Sequence, residues 1–400
     1  MPHTTILYAL GSSRRMRSHR RRSRRGSVLM LGALFMVVLV GMLAFAIDLG
    51  YVATVKNELQ RTADAAALAG AYELLDFEEL KDAADPSTRH DAVRDTAQRF
   101  AWSNPAGATA IYVPGNNANA TDGDLVLGYV ADPADPDDMH FDDEEKYNAV
   151  RVRVRRDSVA NGPLSLFFAP VLGMASKTLS VEATAIFDKD VAGFKVTDNL
   201  VNSKLLPYTL HIDDWNDAFV NGQDNFAHDA KYETVSSGGD DIKEVKLFPI
   251  AVTPGNFGSI DVGPPNNSTA DQRRQILYGP NADDFSYFPE STLKLGNVEE
   301  PLILNGNTGI SAGVKSQLES IKGQPRILPL YSSVSGNGNN ANFTIVAFVG
   351  VTIVDLKLTG SMNSKHITVQ PAFVIDSTAI HGGSDGETSR FIRIPLSLIK

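Results

Sequence analysis

RRGSVLMLGALFMVVLVGMLAFAIDLGYVATVKNELQRTADAAALAGA, residues Arg24–Ala71, is the stretch on which the architecture of this chain turns. Its twenty central residues, Val28 to Ile47, carry no charged side chain. A helix rises about 1.5 Å per residue, so these residues span roughly 30 Å, the thickness of the hydrocarbon core of a bilayer. Gly32 and Gly41 fit such a helix, because membrane helices tolerate glycine better than soluble ones do. Asp48 ends the segment, and a carboxylate is affordable at the membrane interface but not at its centre. A secretory signal has a shorter apolar region, about 7–15 residues, followed by a small-residue cleavage site. Here the apolar run is longer, and more helix follows it. Leu49, Val52, Leu59, Ala63, Ala66, Ala67 and Gly70 recur at helical spacing, with Lys56, Glu58, Arg61 and Asp64 between them. The pattern predicts an uncleaved transmembrane helix that continues into an amphipathic one. The alanine-dense run Ala63–Ala71 has two readings, plain helix propensity or a thin face for a partner subunit.

Charge orients this anchor. Residues 1–47 hold eight arginines and no acid; Arg20, Arg21, Arg22, Arg24 and Arg25 lie closest to the apolar segment. Arginines abutting an apolar span mark its cytoplasmic end. The chain has 37 basic and 47 acidic residues in all, so with those eight removed 29 basic face 47 acidic. So acidic a remainder is a poor partner for nucleic acid. The expected location is the cytoplasmic (inner) membrane, single-pass, N-terminus inside, with most of the chain in the periplasm or outside the cell. Cysteine is absent, which excludes disulfides, thiolate metal sites and cysteine nucleophiles. A domain of this size supplies its own core without such staples.

Arg24–Ala71 resembles the N-terminal segment of TadG-like proteins of the Flp/Tad pilus assembly system, within the TadE/G-like family. The resemblance is carried by the arginines and Gly26 before the helix, Asp48-Leu49-Gly50 at its end, Leu59-Gln60, and the run Asp64–Ala71. It continues more weakly through AVRVRVRR (Ala149–Arg156), SLFFAPVLGM (Ser165–Met174) and LSVEATAIF (Leu179–Phe187), which look like the strand, helix and strand of Tad pseudopilin-like proteins. The resemblance implies an envelope protein that assists assembly or anchoring of a pilus. It implies contacts with the lipid bilayer and, through the N-terminal helix, with other Tad subunits. Asp48, Leu59, Gln60, Asp64, Ala66, Ala67 and Gly70 are the candidate interaction residues. Leu31 stands five residues after Gly26, where a processed prepilin carries glutamate, and Asp376-Ser377 lacks the second serine of a DxSxS metal motif.

Beyond the anchor, Asp85-Pro86-Ser87-Thr88 reads as a break and helix cap, and Val93, Ala97 and Phe100 sit on one face of the helix that follows. Leu125–Val130 reads as a strand, Val150, Val152 and Val154 alternate with arginines, and Val181, Ala183, Ala185 and Phe187 repeat the alternation. Pro163–Leu172 fits a short apolar helix. Residues 110–188 therefore read as a small α+β unit, with a boundary at Asp188–Asp190. From about 193 the chain turns to strands. Asn342–Gly360 and His366–Ile375 are rich in β-branched and aromatic residues and are expected to pair at the centre of a sheet, with Gly350 at a bulge or bend. One helix is expected to start at Ser268 or Thr269, and Ser311 is expected to cap a second that buries Val314, Leu318 and Ile321. The expected organisation is a basic cytoplasmic segment 1–27, a transmembrane helix 28–47, a pseudopilin-like α+β region 48–190 and a β-rich extracytoplasmic domain 191–400.

Chemistry-bearing clusters are sparse. His211, Asp213, Asp214 and Asp217 in HIDDWND could hold a divalent ion or serve acid–base work, but short-range clusters of this type are common in surface loops, which is the preferred reading. The acidic run Asp132–Glu145 suits calcium in composition but lacks the EF-hand order, so it reads as a solvated loop. His366 and His381 flank strands without a ligand grouping. The GNFG turn at Gly255–Gly258 lacks the lysine-serine/threonine ending of a phosphate loop, and no G-x-S-x-G or H-E-x-x-H occurs. The expected function is non-enzymatic and without a cofactor: an anchored envelope component of a pilus or secretion apparatus. The alternatives are a membrane-tethered exported enzyme, such as a hydrolase, or a surface adhesin.

Overall fold

A computed structural model describes residues 25–74, 86–130, 135, 138–188, 191–248, 257–265, 268–297, 299–307, 311–336, 338–361, 364–382 and 389–399. The chain divides into two compact units: the residues up to Thr54 with Leu164–Lys177, and Val55–Pro163 with Thr178–Lys400. One continuous helix, α1 (Arg25–Glu73), passes through both.

In the first unit α1 carries the apolar segment. Among the described residues it is the one helix long and apolar enough to cross a membrane. Every side chain from Val28 to Leu49 is exposed except Ala44, which is half-buried, and Asp48, which is buried. The other part of this unit is a hairpin, Leu164–Ser165 paired with Ser176–Lys177. Its loop holds a single 3-10 turn, Ala169–Leu172, where a short α-helix over Pro163–Leu172 is expected. Pro170 has no N–H to propagate a helix, and Gly173 ends the turn at φ 84°, a left-handed conformation that favours glycine.

In the second unit α1 buries Val55, Leu59, Ala63, Ala66, Ala67 and Ala71 and leaves Lys56, Asn57 and Arg61 exposed. Helix α2 (Pro86–Ser103) starts with the proline that costs no hydrogen bond in a first turn. Its buried face runs Val93, Ala97, Ala101, whereas Phe100, expected on that face, is exposed. Four-residue steps keep Val93, Ala97 and Ala101 on one face, and Val93 and Ala97 of that face pack at Gly70 of α1.

Val150, Val152 and Val154 are buried beside half-exposed Arg151, Arg153 and Arg155, as their alternation predicts. Their strand, Ala149–Arg156, lies between Leu125–Val130 and Leu179–Asp188, antiparallel to both. The sheet does not close within residues 110–188. Ile392–Ile399 adds antiparallel to Leu179–Asp188, and Val374–Ile375 adds outside it, giving six strands with Met139–His140. An unpaired edge there leaves a row of unmet N–H and C=O groups, and the distant strand satisfies them.

Five strands form a closed ring: Tyr208–His211, Phe257–Ile260, Leu302–Asn307, Ala341–Lys357 and Pro325–Ser335, the last pairing back onto the first. Only that closing pair is parallel. The ring is possible because Ala341–Lys357 is 17 residues long. Its first part pairs with Leu302–Asn307, and its last part pairs with His366–Pro371, the expected central pairing. Alternate side chains feed two cores. Ile327, Tyr331, Phe343, Ile345 and Phe348 belong to one. Leu328, Leu330, Val349, Val351 and Ile353 join Trp215, Ile276 and Leu318 in the other. The inner face changes phase between Ile345 and Phe348, where the pairing slips opposite Leu330–Ser333. Gly350 is not a bulge. It stays in register opposite Ile327, and a Cβ there would stand 2.2 Å from the Ala372 carbonyl oxygen and 2.5 Å from that of Phe391. The glycine admits another backbone.

The anchor helix as candidate functional site

Three features of α1 carry the candidate residues. The first is Asp48. Its Oδ1 accepts the Phe167 N–H at 2.9 Å, and its Oδ2 accepts those of Phe168 at 3.0 Å and Ala169 at 2.6 Å. The Tyr51 and Phe167 rings pack 4.9 Å apart one turn further on. Desolvation raises the Asp48 carboxyl, but the three backbone donors outweigh it and hold the group below its ordinary 3.8. A charge at the end of the apolar segment thus satisfies the first turn of an apolar loop.

The second feature is the small-residue face. Leu59, Ala66 and Ala67 are fully buried and Gly70 is buried with them. A Cβ added at Gly70 would lie 3.2 Å from Val150 Cγ1, 3.3 Å from Ala97 Cβ and 3.5 Å from Val93 Cγ1. The alanine run therefore brings α1 against α2 and the sheet of its own chain.

The third feature is a polar border. Gln60 Nε2 donates to Asp64 Oδ1 at 2.8 Å, one turn along the helix, and to the Glu182 carbonyl at 3.0 Å. Glu58 Oε2 accepts the Gly107 N–H at 2.7 Å, and the Thr62 hydroxyl lies 2.8 Å from the Asn104 carbonyl oxygen. These bonds fix the rotation of α1 over the sheet and the α2 loop. The pairing of Gln60 with Glu182 joins residues 122 apart, which nothing in the local sequence signals.

The other candidates have structural roles. His211 is the N-cap of helix α3 (Ile212–Asn221). Its Nδ1 accepts the Asp213 N–H at 3.2 Å, while Nε2 lies 3.1 Å from the Ser332 carbonyl oxygen. Asp217 accepts from Asn221. His366 pairs with Asp355 at 2.7 Å and His381 with Asp188. Asp376 Oδ1 takes the Thr378 N–H and hydroxyl, and Oδ2 takes the Lys204 N–H, so the DSTAI motif is a turn clasp. Among the described residues no set of three or more His, Asp or Glu side chains is arranged to hold a metal ion. Residues 1–24, with Arg20, Arg21, Arg22 and Arg24, lie outside the described residues, as do 132–134 and 136–137 of the acidic run and 255–256 of the GNFG turn; Arg25 opens α1.

Two family models match the chain. The Flp pilus-assembly TadE/G-like model (Tad) covers residues 26–73, and the Tad-like Flp pilus-assembly model (Tad_C) covers residues 54–185. The first ends at the last residue of α1, and the second takes in the packed half of α1, α2 and the three central strands of the six-stranded sheet. No curated protein and no solved structure matches the chain. The matches support a non-enzymatic role in pilus or secretion assembly, and the long apolar helix α1 supports anchoring in the inner membrane. Over residues 26–185 this chain is similar to TadE/G-like proteins of Flp pilus assembly.

Proposed function

We propose that the chain is a bitopic scaffold that holds a large acidic domain at the outer face of the inner membrane and meets other pilus-assembly subunits through its N-terminal helix. The observation that carries this is the division of α1: open to its surroundings from Val28 to Leu49 except at Ala44 and Asp48, and packed into its own fold from Val55 onward. The outer half, Leu49–Ala71, acts as the amphipathic continuation of the anchor. The arginines Arg20, Arg21, Arg22, Arg24 and Arg25 place the N-terminus in the cytoplasm. Residues 48–190 serve as the pseudopilin-like α+β region and residues 191–400 as the β-rich outer portion.

Asp48, Leu59, Gln60, Asp64, Ala66, Ala67 and Gly70 serve partner recognition by setting the pose of α1. The contact itself falls on the span, where Gly32 opens a shallow apolar concavity lined by Leu29, Ala33 and Met36. Small residues let a second membrane helix approach closely. The test is a detergent-solubilised pull-down of the full chain with Val28–Ile47 intact, read by mass spectrometry. Recovery of the assembly ATPase, platform or pseudopilin subunits is expected. A monomeric chain recovered alone would count against the scaffold role and move weight to a tethered enzyme or adhesin.

A further inference from the structure

The hairpin loop beside Asp48 has a composition at odds with a watery setting. Phe167, Phe168, Val171, Leu172 and Met174 are all exposed, Val171 at 88% and Leu172 at 73%. Such a cluster within eight residues is rare on a soluble surface and marks a contact with something apolar. Its backbone is unusually self-contained. Leu166, Val171, Gly173 and Met174 donate their N–H groups to carbonyls within the loop. Phe167, Phe168 and Ala169 donate theirs to Asp48, and Pro170 has none to donate. A loop entering hydrocarbon must satisfy its backbone internally, because each unmet group there costs several kcal/mol. A loop facing water has no such requirement.

Position identifies the occupant. The Asp48 carboxylate that holds the loop is the residue immediately after the apolar span Val28–Ile47, and burial on α1 begins at Ala44, inside that span. The loop is thus fastened at the level where the helix leaves the hydrocarbon. We infer that the loop Leu166–Ala175 is a second, interfacial membrane contact, with Phe167, Val171, Leu172 and Met174 inserted shallowly into the outer leaflet of the bilayer that α1 spans. The inference rests on Val28–Ile47 being the membrane anchor. It assigns Asp48 a positioning role: its carboxylate closes the three donors that would otherwise keep the loop out of lipid.

The absence of cysteine makes the test clean. Single-cysteine variants Val171→Cys, Leu172→Cys, Leu39→Cys and Asn221→Cys of the full chain would each carry an environment-sensitive fluorophore. Each would be reconstituted into phosphatidylcholine–phosphatidylglycerol vesicles. Quenching is then compared between aqueous iodide and lipids bearing a nitroxide near the head or near the end of the acyl chain. The Val171 and Leu172 positions are expected to be quenched by the shallow nitroxide at least about twofold more than the exposed Asn221 position, and to be shielded from iodide. Iodide quenching equal to that at Asn221, with Leu39 still quenched by lipid, would overturn the loop insertion and leave the anchor standing. Shielding from both quenchers would mean that protein covers the loop, which also overturns it. Loss of lipid quenching at Leu39 would bring down the anchor reading and the inference together.

Discussion

Gly70 and Val150 meet with no space between them: a Cβ on the glycine would lie 3.2 Å from Val150 Cγ1. One residue on the anchor helix and one on the central strand of the six-stranded sheet thereby set how closely α1 approaches. The alanine run that leads up to Gly70 is a surface for the chain's own interior.

Gly70→Leu is accordingly expected to destabilise the folded domain by about 1–3 kcal/mol, the usual cost of overpacking a filled site. Leu59→Ala, which empties a fully buried position, should cost about 2–5 kcal/mol. Thermal or urea unfolding of the full chain in detergent checks both. If Gly70→Leu left unfolding unchanged yet abolished co-purification of partners, the face would be a subunit contact.

Asp48→Asn should loosen the loop, because an amide presents a donor to some of the three N–H groups that the carboxylate accepts. Hydrogen bonds to a charged group are stronger than neutral ones, so amide exchange at Phe167–Ala169 should accelerate by roughly ten- to a hundredfold. The pH dependence has a definite sign. The folded-state carboxyl is held below its ordinary 3.8, so the latch is at full strength above that value and weakens as pH falls through the lower folded value. Exchange at these amides, corrected for intrinsic rates, should be flat from neutral pH down to mild acid. A latch that opens near neutrality would contradict the assignment.

Glu244 has the opposite sign. Its Oε1 accepts the N–H groups of Asn225 at 2.6 Å and Phe226 at 2.7 Å, while Oε2 is buried without a partner. Burial pushes its carboxyl above the ordinary 4.5; the two backbone bonds pull against this, and Asp224 and Asp240 add to the rise. The folded state therefore holds this proton more tightly than the unfolded state. The contribution is favourable below the ordinary value and is lost as pH rises through the folded one. Glu244→Gln should gain stability relative to the parent between pH 4 and pH 8. A stability difference independent of pH in paired melts would refute this.

Replacing Arg20, Arg21, Arg22, Arg24 and Arg25 with glutamine is expected to scramble the orientation of the chain in the membrane, since basic residues beside a span set its inside end. Labelling of Asn221→Cys by a membrane-impermeant maleimide in spheroplasts reports the outcome. Undiminished labelling would show that some other feature determines topology.

Local chemistry was enough to place the apolar span, the buried Val93 and Ala97 of α2, the alternating strand Ala149–Arg156, the helix start at Ser268 or Thr269 and the cap at Ser311. Each depends on neighbours within a turn or two, where hydropathy, periodicity and capping act. The TadE/G-like segment was legible for the same reason, since Arg25, Asp48 and the alanine run lie along one helix. Tertiary structure decided what lies further apart. Asp48 finds its donors about 120 residues away, at Phe167–Ala169. The edge of Leu179–Asp188 is completed by Ile392–Ile399, so the expected α+β unit at 110–188 opens into a larger sheet. Gly350 makes room for backbone at Ala372 and Phe391. Ala101, not Phe100, turns inward on the face that continues from Val93 and Ala97. Backbone donors, sheet edges and close approaches must all be satisfied in three dimensions, and the partners that satisfy them leave no trace in the residues beside them.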